Sequence, residues 1–170
     1  MSGGFAASAV AAGVLLAVLG HHSRTAGTAP DKAAAAAIAY ARAQLGKPYE
    51  WGGTGPAAFD CSGLVMEAYA AAGVSIARTS QEQWATEPHV SNPAPGDLVF
   101  FAGADGTPTS PGHVGLVIGR NKMIEAYATG TPIRISTFGT PTSPPGLSQV
   151  VGFARPWAQP GLNLSNSAHG

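Results

Sequence analysis

The sequence predicts an α+β domain in which N-terminal helices pack on a central antiparallel β-sheet of about five strands. Helical patterns occupy the chain before residue 90, and short apolar strands separated by turns follow them. This order is typical of α+β domains. Glycine occurs 23 times and proline 14 times in 170 residues, which indicates many turns, and the 45% of hydrophobic residues suffice for one core.

The first element is an apolar segment, residues 1–20, which we interpret as an export signal or a membrane anchor. Residues 1–23 contain no Asp, Glu, Lys or Arg. The run is slightly shorter than the about 20 apolar residues of a spanning helix, and it lacks the basic start of a typical signal peptide. Cleavage and retention therefore both stay open, and an Ala-rich arm is the alternative. Export would place the domain outside the cytoplasm.

A polar linker, residues 21–30, precedes three predicted helices. Their predicted positions are residues 32–45, residues 61–72 and a short helix that opens at residue 80. Asp31 and Ser80 are the predicted N-caps of the first and third helices. Gly46 and Gly73 are predicted to end the first and second.

Five apolar runs bounded by turn residues predict the strands. They are residues 97–102, 113–119, 122–128, 133–137 and 150–155. Three prolines within residues 140–146 indicate a loop, and residues 158–170 are predicted to be a flexible tail. The folded domain is thus expected to span residues 31–157.

The charge balance argues against nucleic acid as a partner. Lys and Arg together number 9, as do Asp and Glu, so the formal net charge is zero and no basic stripe exists. We expect a monomer, with residues 1–20 as a candidate for membrane contact.

Cys61 is the only cysteine, so it cannot form a disulfide within its own chain. It is either an inert core residue or a reactive thiol. A Gly/Pro-rich loop delivers it to the start of an apolar helix, where backbone N–H groups and the helix dipole stabilise a thiolate. In an exported chain an unpaired cysteine also calls for a functional explanation.

His113 is the histidine best placed to act as a base for that thiol. It opens a predicted strand directly after a turn, on the face of Gly115, which we expect to leave room for a substrate groove. Glu125 is the one acid in the next apolar strand, and its carboxylate could orient the imidazole. The alternatives are that His113 merely ends a strand and that Glu125 faces solvent.

Strand register gives a test of this pairing. A two-residue loop at residues 120–121 would point His113 and Glu125 to opposite faces, because neighbouring residues alternate. The pair can meet only if the register shifts by one residue. A three-residue loop, residues 119–121, with Asn121 in the left-handed region would supply the shift, and so would a β-bulge. We predict one of the two.

Acyl transfer also needs donors for an oxyanion. The Cys61 backbone N–H is one by position, and the Tyr49 hydroxyl is a candidate for the second. The alternative for Tyr49 is an aromatic side chain packed under the loop.

Five blocks of the chain, in order, resemble the NlpC family of bacterial cell-wall peptidases. They read PYEWGG, FDCSGLV, RTSQEQ, PGDLVFF and HVGLVIG, and they begin at residues 48, 59, 78, 95 and 113. The resemblance covers about residues 31–157. It implies a papain-like fold, no metal or cofactor, and hydrolysis of peptidoglycan stem peptides, usually between D-glutamate and the diamino acid. It also implies a secreted or membrane-anchored protein associated with the cell wall.

The resemblance assigns roles to individual residues. Cys61 matches the nucleophile, His113 the base, and Glu125 the third polar residue, where histidine is commoner. Tyr49 matches a tyrosine near the oxyanion.

Four further residues match positions beside the groove. Asp60 and Ser62 flank the nucleophile, where the family contacts substrate, although capping the Cys61 helix explains Asp60 equally well. Arg78 and Gln81 are expected to hold the loop rather than touch substrate.

Two other functions remain open at this point. One is an amidase or acyltransferase on the same scaffold. The other is a catalytically silent wall-binding module, against which the intact Cys61, His113 and Glu125 argue.

Overall fold

The computed structural model describes residues 29–158, so the predicted export segment, most of the predicted linker and nearly all of the predicted tail lie outside the described residues. The described elements, in chain order, are α1 (Ala29–Ala43), α2 (Cys61–Ala71), α3 (Ser80–Thr86), β1 (His89–Val90), β2 (Leu98–Phe101), β3 (His113–Gly119), β4 (Lys122–Glu125), β5 (Arg134–Thr137), β6 (Gly152–Ala154) and a 3₁₀ turn (Pro156–Ala158). The predicted α+β, papain-like architecture is confirmed.

The sheet in the described part of the chain has six strands in the order β1-β6-β2-β3-β4-β5, and every neighbouring pair is antiparallel. The five predicted strands are all present. The sixth, β1, was predicted to be loop. It has two residues, which pair with Ala154 and Phe153 of β6, and a run that short carries no alternation to detect.

The two faces of the sheet are covered by different parts of the chain. Helices α1 and α2 cover one face, where Ala37, Leu64 and Leu116 are fully buried in a common core. The other face is covered by the segment after β5, through Phe138 and Leu147. The interior strands are therefore apolar on both faces, and a polar side chain there needs a partner.

The helix starts differ from the prediction at two points. Helix α1 begins at Ala29 rather than Lys32, so Asp31 lies inside the helix and does not precede it. Pro30 does not prevent this, because proline is accepted in a first helical turn.

The cap of α3 is Thr79, not Ser80. Thr79 is extended, and its hydroxyl accepts from the Glu82 N–H at 3.2 Å. The Glu82 carboxylate accepts in turn from the Thr79 N–H at 3.2 Å. This reciprocal capping box moves the start by one residue, because Ser80 would place the acid at the wrong spacing.

None of the helices within residues 29–158 combines the length and the apolar character that crossing a bilayer requires.

Candidate active site

The loop before α2 places Cys61 at the first position of that helix. Asp60 is the N-cap, and its Oδ1 accepts from the Gly63 N–H at 2.6 Å. The Asp60 N–H donates to the Gly53 carbonyl at 2.9 Å, which folds the loop back against the helix. The Cys61 thiol is free and half-buried. Its Sγ lies 4.0 Å from the carbonyl oxygen of Gly112, which directly precedes β3.

Gly63 allows this close approach of loop and helix. A Cβ at Gly63 would lie 2.2 Å from the Gly53 carbonyl oxygen, a backbone atom that cannot move aside. The glycine two residues after the cysteine is therefore a steric requirement of the loop that presents the thiol.

His113 meets Cys61 from the first position of β3. Its residue is 6% exposed, and its ring lies between those of Phe101 and Tyr127, with centroids 5.8 and 5.5 Å away. One ring nitrogen, Nε2, lies 2.8 Å from Glu125 Oε2, and the ring also interacts with Cys61, which raises the pKa of His113. The imidazole thus links the thiol to the carboxylate.

The electrostatics of this position favour imidazolium. Burial lowers the pKa of His113, but the hydrogen bonds and charges of Cys61 and Glu125 outweigh burial and raise the pKa to about 9. At neutral pH His113 is therefore protonated.

A β-bulge brings Glu125 to the face of His113, as predicted. Strands β3 and β4 pair Val117 with Met123, but Gly119 pairs with Lys122, which leaves one extra residue on β3. The loop itself has two residues, Arg120 and Asn121, and Asn121 is in the left-handed region, with φ 53°. Because of this extra residue, the β3 side chains on the His113 side of the bulge point to the opposite face of the sheet from the one a regular hairpin would give them.

Glu125 is fully buried and does not face solvent. Besides His113, its carboxylate accepts through Oε1 from the Ser136 hydroxyl at 2.5 Å and from Arg134 Nε at 3.1 Å. Burial raises the pKa of Glu125, but His113, Ser136 and Arg134 lower it overall. The carboxylate is thus held ionised in one orientation.

Sequence reasoning missed Arg134 and Ser136. They alternate with Ile135 on β5, and Arg134 pairs directly with Glu125 across the ladder. Polar residues two apart on a strand beside the one that carries the acid were the available signal.

The expectation about Gly115 is wrong. The space that a side chain would take at this position is filled by Met123, whose sulfur would lie 2.4 Å from a Cβ there. Gly115 admits a neighbour from β4, and the substrate cleft lies elsewhere.

The cleft runs to both sides of Cys61. We call the two parts the Tyr127 side, about 570 Å³, and the Arg78 side, about 460 Å³. His113 and Phe101 line the first, and Ser62 lines the second. The two parts share a wall made by Tyr49, Trp51, Cys61, Asp105 and Gly112.

Two tryptophans near the cysteine in sequence take different positions. Trp51 is 77% exposed and forms cleft wall. Trp84 is instead packed against Phe100, with ring centroids 5.2 Å apart.

Tyr49 combines both positions considered for it. Its ring packs against the core and also lines the cleft. Burial raises its pKa, as do the charges of Cys61, Asp60 and Asp105, so the phenol keeps the proton that an oxyanion donor needs.

Asp60, Ser62 and Arg78 hold one another beside the nucleophile. Arg78 donates to both carboxylate oxygens of Asp60, at 3.0 and 2.6 Å, and to the Ser62 hydroxyl at 3.0 Å. Gly52 N–H also donates to Asp60, at 2.9 Å. Asp60 is 8% exposed, so its oxygens are used within the protein, as the capping alternative requires.

Gln81 lines the Arg78 side of the cleft, and its Oε1 accepts from the Ser80 hydroxyl at 3.3 Å. Its neighbour Gln83 is fully buried and donates to the Ser62 carbonyl at 3.1 Å and to the Ala77 carbonyl at 2.8 Å. Gln83 therefore ties α3 to α2 behind the nucleophile.

Replacing Asp60 with alanine should destabilise the protein by about 2–4 kcal/mol, because α2 loses its cap and the donors of Gly52 and Arg78 lose their acceptor. Urea unfolding of the variant measures this. The matched control is Glu50→Ala, an exposed acid of the same loop, which should change stability by less than about 0.5 kcal/mol. Equal stability of the two variants would contradict the prediction.

Within residues 29–158, no three His, Cys, Asp or Glu side chains come together as metal ligands would.

Asp97, in the turn before β2, lies apart from the cleft. It accepts from the Ala94 N–H at 2.6 Å and pairs with Arg155 at 2.8 Å, so its role is to fix the turn.

A comparison with protein-family models matches residues 46–151 to the NlpC/P60 family. Among curated proteins, a probable endopeptidase p60 of Listeria monocytogenes is 45% identical over 95 residues, which cover 55% of this chain and 19% of that protein. The bifunctional muramidase/DL-endopeptidase CwlT of Bacillus subtilis is 42% identical over 89 residues, covering 50% of this chain and 26% of that protein. The matched region is thus a minor part of either relative.

Among solved structures, the peptidoglycan hydrolase RipB of Mycobacterium tuberculosis superposes with a TM-score of 0.60 and 30% identity. The match covers 74% of this chain and 65% of that one. The fold described above is therefore shared with that structure over most of the described residues.

Proposed function

The chain belongs to the NlpC/P60 family, and from this premise we propose that it is a cysteine endopeptidase that hydrolyses peptidoglycan stem peptides. The observation that carries the proposal is the line of contacts from Cys61 through His113 to the buried Glu125, at the floor of an open cleft. In this proposal residues 31–157 form the catalytic domain.

In the first half of the proposed reaction, the Cys61 thiolate attacks the scissile carbonyl carbon. The Cys61 backbone N–H and the Tyr49 hydroxyl donate hydrogen bonds to the oxyanion that forms. His113 then gives its proton to the leaving amine, the C–N bond breaks, and an acyl-enzyme remains on Cys61.

In the second half, the neutral imidazole takes a proton from water, and the resulting hydroxide attacks the thioester. The C–S bond breaks, the carboxylic acid product leaves and gives its proton to solvent, and the thiolate–imidazolium pair is restored. Glu125 keeps Nε2 of His113 protonated throughout, which turns the other ring nitrogen toward Cys61.

We further propose that the scissile bond joins D-glutamate to the diamino acid. The name of the Bacillus relative, a DL-endopeptidase, supports a bond between a D and an L centre. Such a substrate lies outside the cytoplasm, which fits the export role predicted for residues 1–20. That segment lies outside the described residues.

Digestion of defined muropeptides, read by mass spectrometry, tests this function. We expect fragments that end in D-glutamate and fragments that begin with the diamino acid. Release of intact stems from muramic acid would instead identify an amidase. Absence of any cleavage by the folded protein would contradict hydrolysis and favour a wall-binding module.

The rate of hydrolysis should fall as pH rises through about 9, because the leaving amine needs the proton of His113. The ion pair of protonated His113 with Glu125 should also stabilise the fold, since the pKa of His113 is raised on folding. This stabilisation should be fully present below about pH 6.5 and should be lost as pH rises through about 9. Measuring kcat/KM for a stem peptide from neutral pH to about 10.5 checks this. Undiminished activity at the alkaline end would contradict the prediction.

A further inference from the structure

Asp105, in the loop between β2 and β3, is a charged residue of the cleft that the proposed chemistry does not use. It lines both the Tyr127 side and the Arg78 side. Its side chain is exposed and forms no hydrogen bond or ion pair within residues 29–158. It also acts electrostatically on Tyr49, whose pKa its charge raises.

The other charged groups that line the cleft are compensated. Asp60 is paired with Arg78 at 2.6 Å, and His113 with Glu125 at 2.8 Å. Among the described lining residues, Asp105 alone leaves a net negative charge, beside the indole of Trp51 and the phenol of Tyr49. A carboxylate in a cleft that aromatic rings also line attracts cations, because both the charge and the ring quadrupoles favour them.

The loop that carries Asp105 is held in one compact shape. Gly112 N–H donates to the Ala102 carbonyl at 2.8 Å, and Thr107 N–H donates to the Ser110 carbonyl at 2.9 Å. A Cβ at Gly106 would lie 2.1 Å from the Gly112 backbone nitrogen, so the two arms of the loop touch without side chains between them. Asp105 is therefore presented to the cleft without a large ordering cost on binding.

From this juxtaposition we propose that Asp105 forms a subsite for an ammonium group of the substrate next to the scissile bond. The inference rests on the proposed function and deepens it. The enzyme would select stem peptides that still carry a free amine. It would act less on stems whose amine is acylated, by cross-linking at the side chain or by the link to muramic acid at the N-terminus. Two amines of a stem have this chemistry, the N-terminal amine and the side-chain amine of the diamino acid.

The test compares three tripeptides, L-Ala-γ-D-Glu-L-Lys with both amines free, with the side-chain amine acetylated, and with the N-terminal amine acetylated. We expect the wild type to prefer one free amine by about two- to fivefold in kcat/KM at low salt, and less at high salt. The acetylated peptide that the wild type cleaves with the lower kcat/KM identifies which amine supplies the ammonium. In Asp105→Asn the preference should disappear.

Glu50→Gln is the matched control. It removes the same charge from an exposed residue that lies between Tyr49 and Trp51 in sequence but does not line the cleft. It should keep the preference of the wild type. A preference unchanged in Asp105→Asn, or lost equally in both variants, would overturn the subsite.

Binding separates this inference from the proposed function. Calorimetry with Cys61→Ala and with Cys61→Ala/Asp105→Asn measures the affinity for the free and acetylated peptides without turnover. A two- to fivefold loss on acetylation, about what an exposed ion pair supplies, should occur only where Asp105 is present. If the wild type cleaves none of the peptides, the proposed hydrolysis is contradicted. The measured affinities would still show whether Asp105 binds an ammonium group.

Discussion

Replacing Cys61 with alanine should reduce hydrolysis of stem peptides by at least about a thousandfold, because it removes the only cysteine of the chain and with it the proposed nucleophile. His113 and Glu125 would remain, but no thiol would be left beside them to carry the acyl group. The measurement is turnover of a defined stem peptide by the purified variant, followed by mass spectrometry.

The same substitution should leave the fold intact. Cys61 is half-buried, and the cap of α2 belongs to Asp60, so alanine at the first helical position removes little packing and no cap. We expect the free energy of unfolding, measured by urea unfolding, to change by less than about 1 kcal/mol. Hydrolysis that persists in a folded Cys61→Ala protein would exclude the proposed mechanism.

Labelling provides an independent control for this prediction. In the wild type, iodoacetamide should alkylate Cys61 rapidly at neutral pH, because this free thiol lines an open cleft together with the protonated His113. A thiol that stays unreactive in the folded protein would favour a binding module instead.

The register of β3 and β4 shows how far sequence can predict this site. Parity along two strands is fixed by their alternation, so a regular hairpin was incompatible with a His113–Glu125 contact. The required register shift of one residue could therefore be predicted. Its form could not, because a bulge and a longer loop satisfy the same parity, and the packing that selects between them comes from residues distant in the chain.

Gly115 and β1 show where sequence patterns mislead. A glycine on a strand face leaves space, but only the fold decides whether a substrate or a neighbour such as Met123 fills it. The two residues of β1 are strand only because β6 lies beside them. Both features depend on tertiary contacts that have no local signature.

The role of Asp60 could not be decided from the sequence, but its contacts in the structure favour one of two roles. A carboxylate before a helix can cap it or bind substrate, and the motif is the same in both cases. Its contacts with Gly63, Gly52 and Arg78 account for both oxygens within the protein. The uncompensated acid of the cleft is Asp105, in a loop with no motif to mark it.

Replacing Glu125 with glutamine should lower kcat/KM by about a hundredfold or more, because the amide keeps the shape of the side chain but loses its charge. One end of the amide must also present N–H₂ to His113 or to the donors Ser136 and Arg134, which mismatches a buried contact. The imidazolium then loses its counter-charge and its orientation together.

The pH profile of this variant separates an orienting carboxylate from a merely structural one. Without the charge of Glu125, the pKa of His113 should come down, because burial is then opposed by Cys61 alone. The alkaline fall in activity should therefore begin below its position near pH 9 in the wild type. Ser136→Ala is the matched control, since it removes one hydrogen bond to Glu125 but no charge. It should cost less than about tenfold and leave the alkaline limb in place. A Glu125→Gln protein that is slow but keeps the wild-type limb would mean that the carboxylate supports the fold without tuning the base.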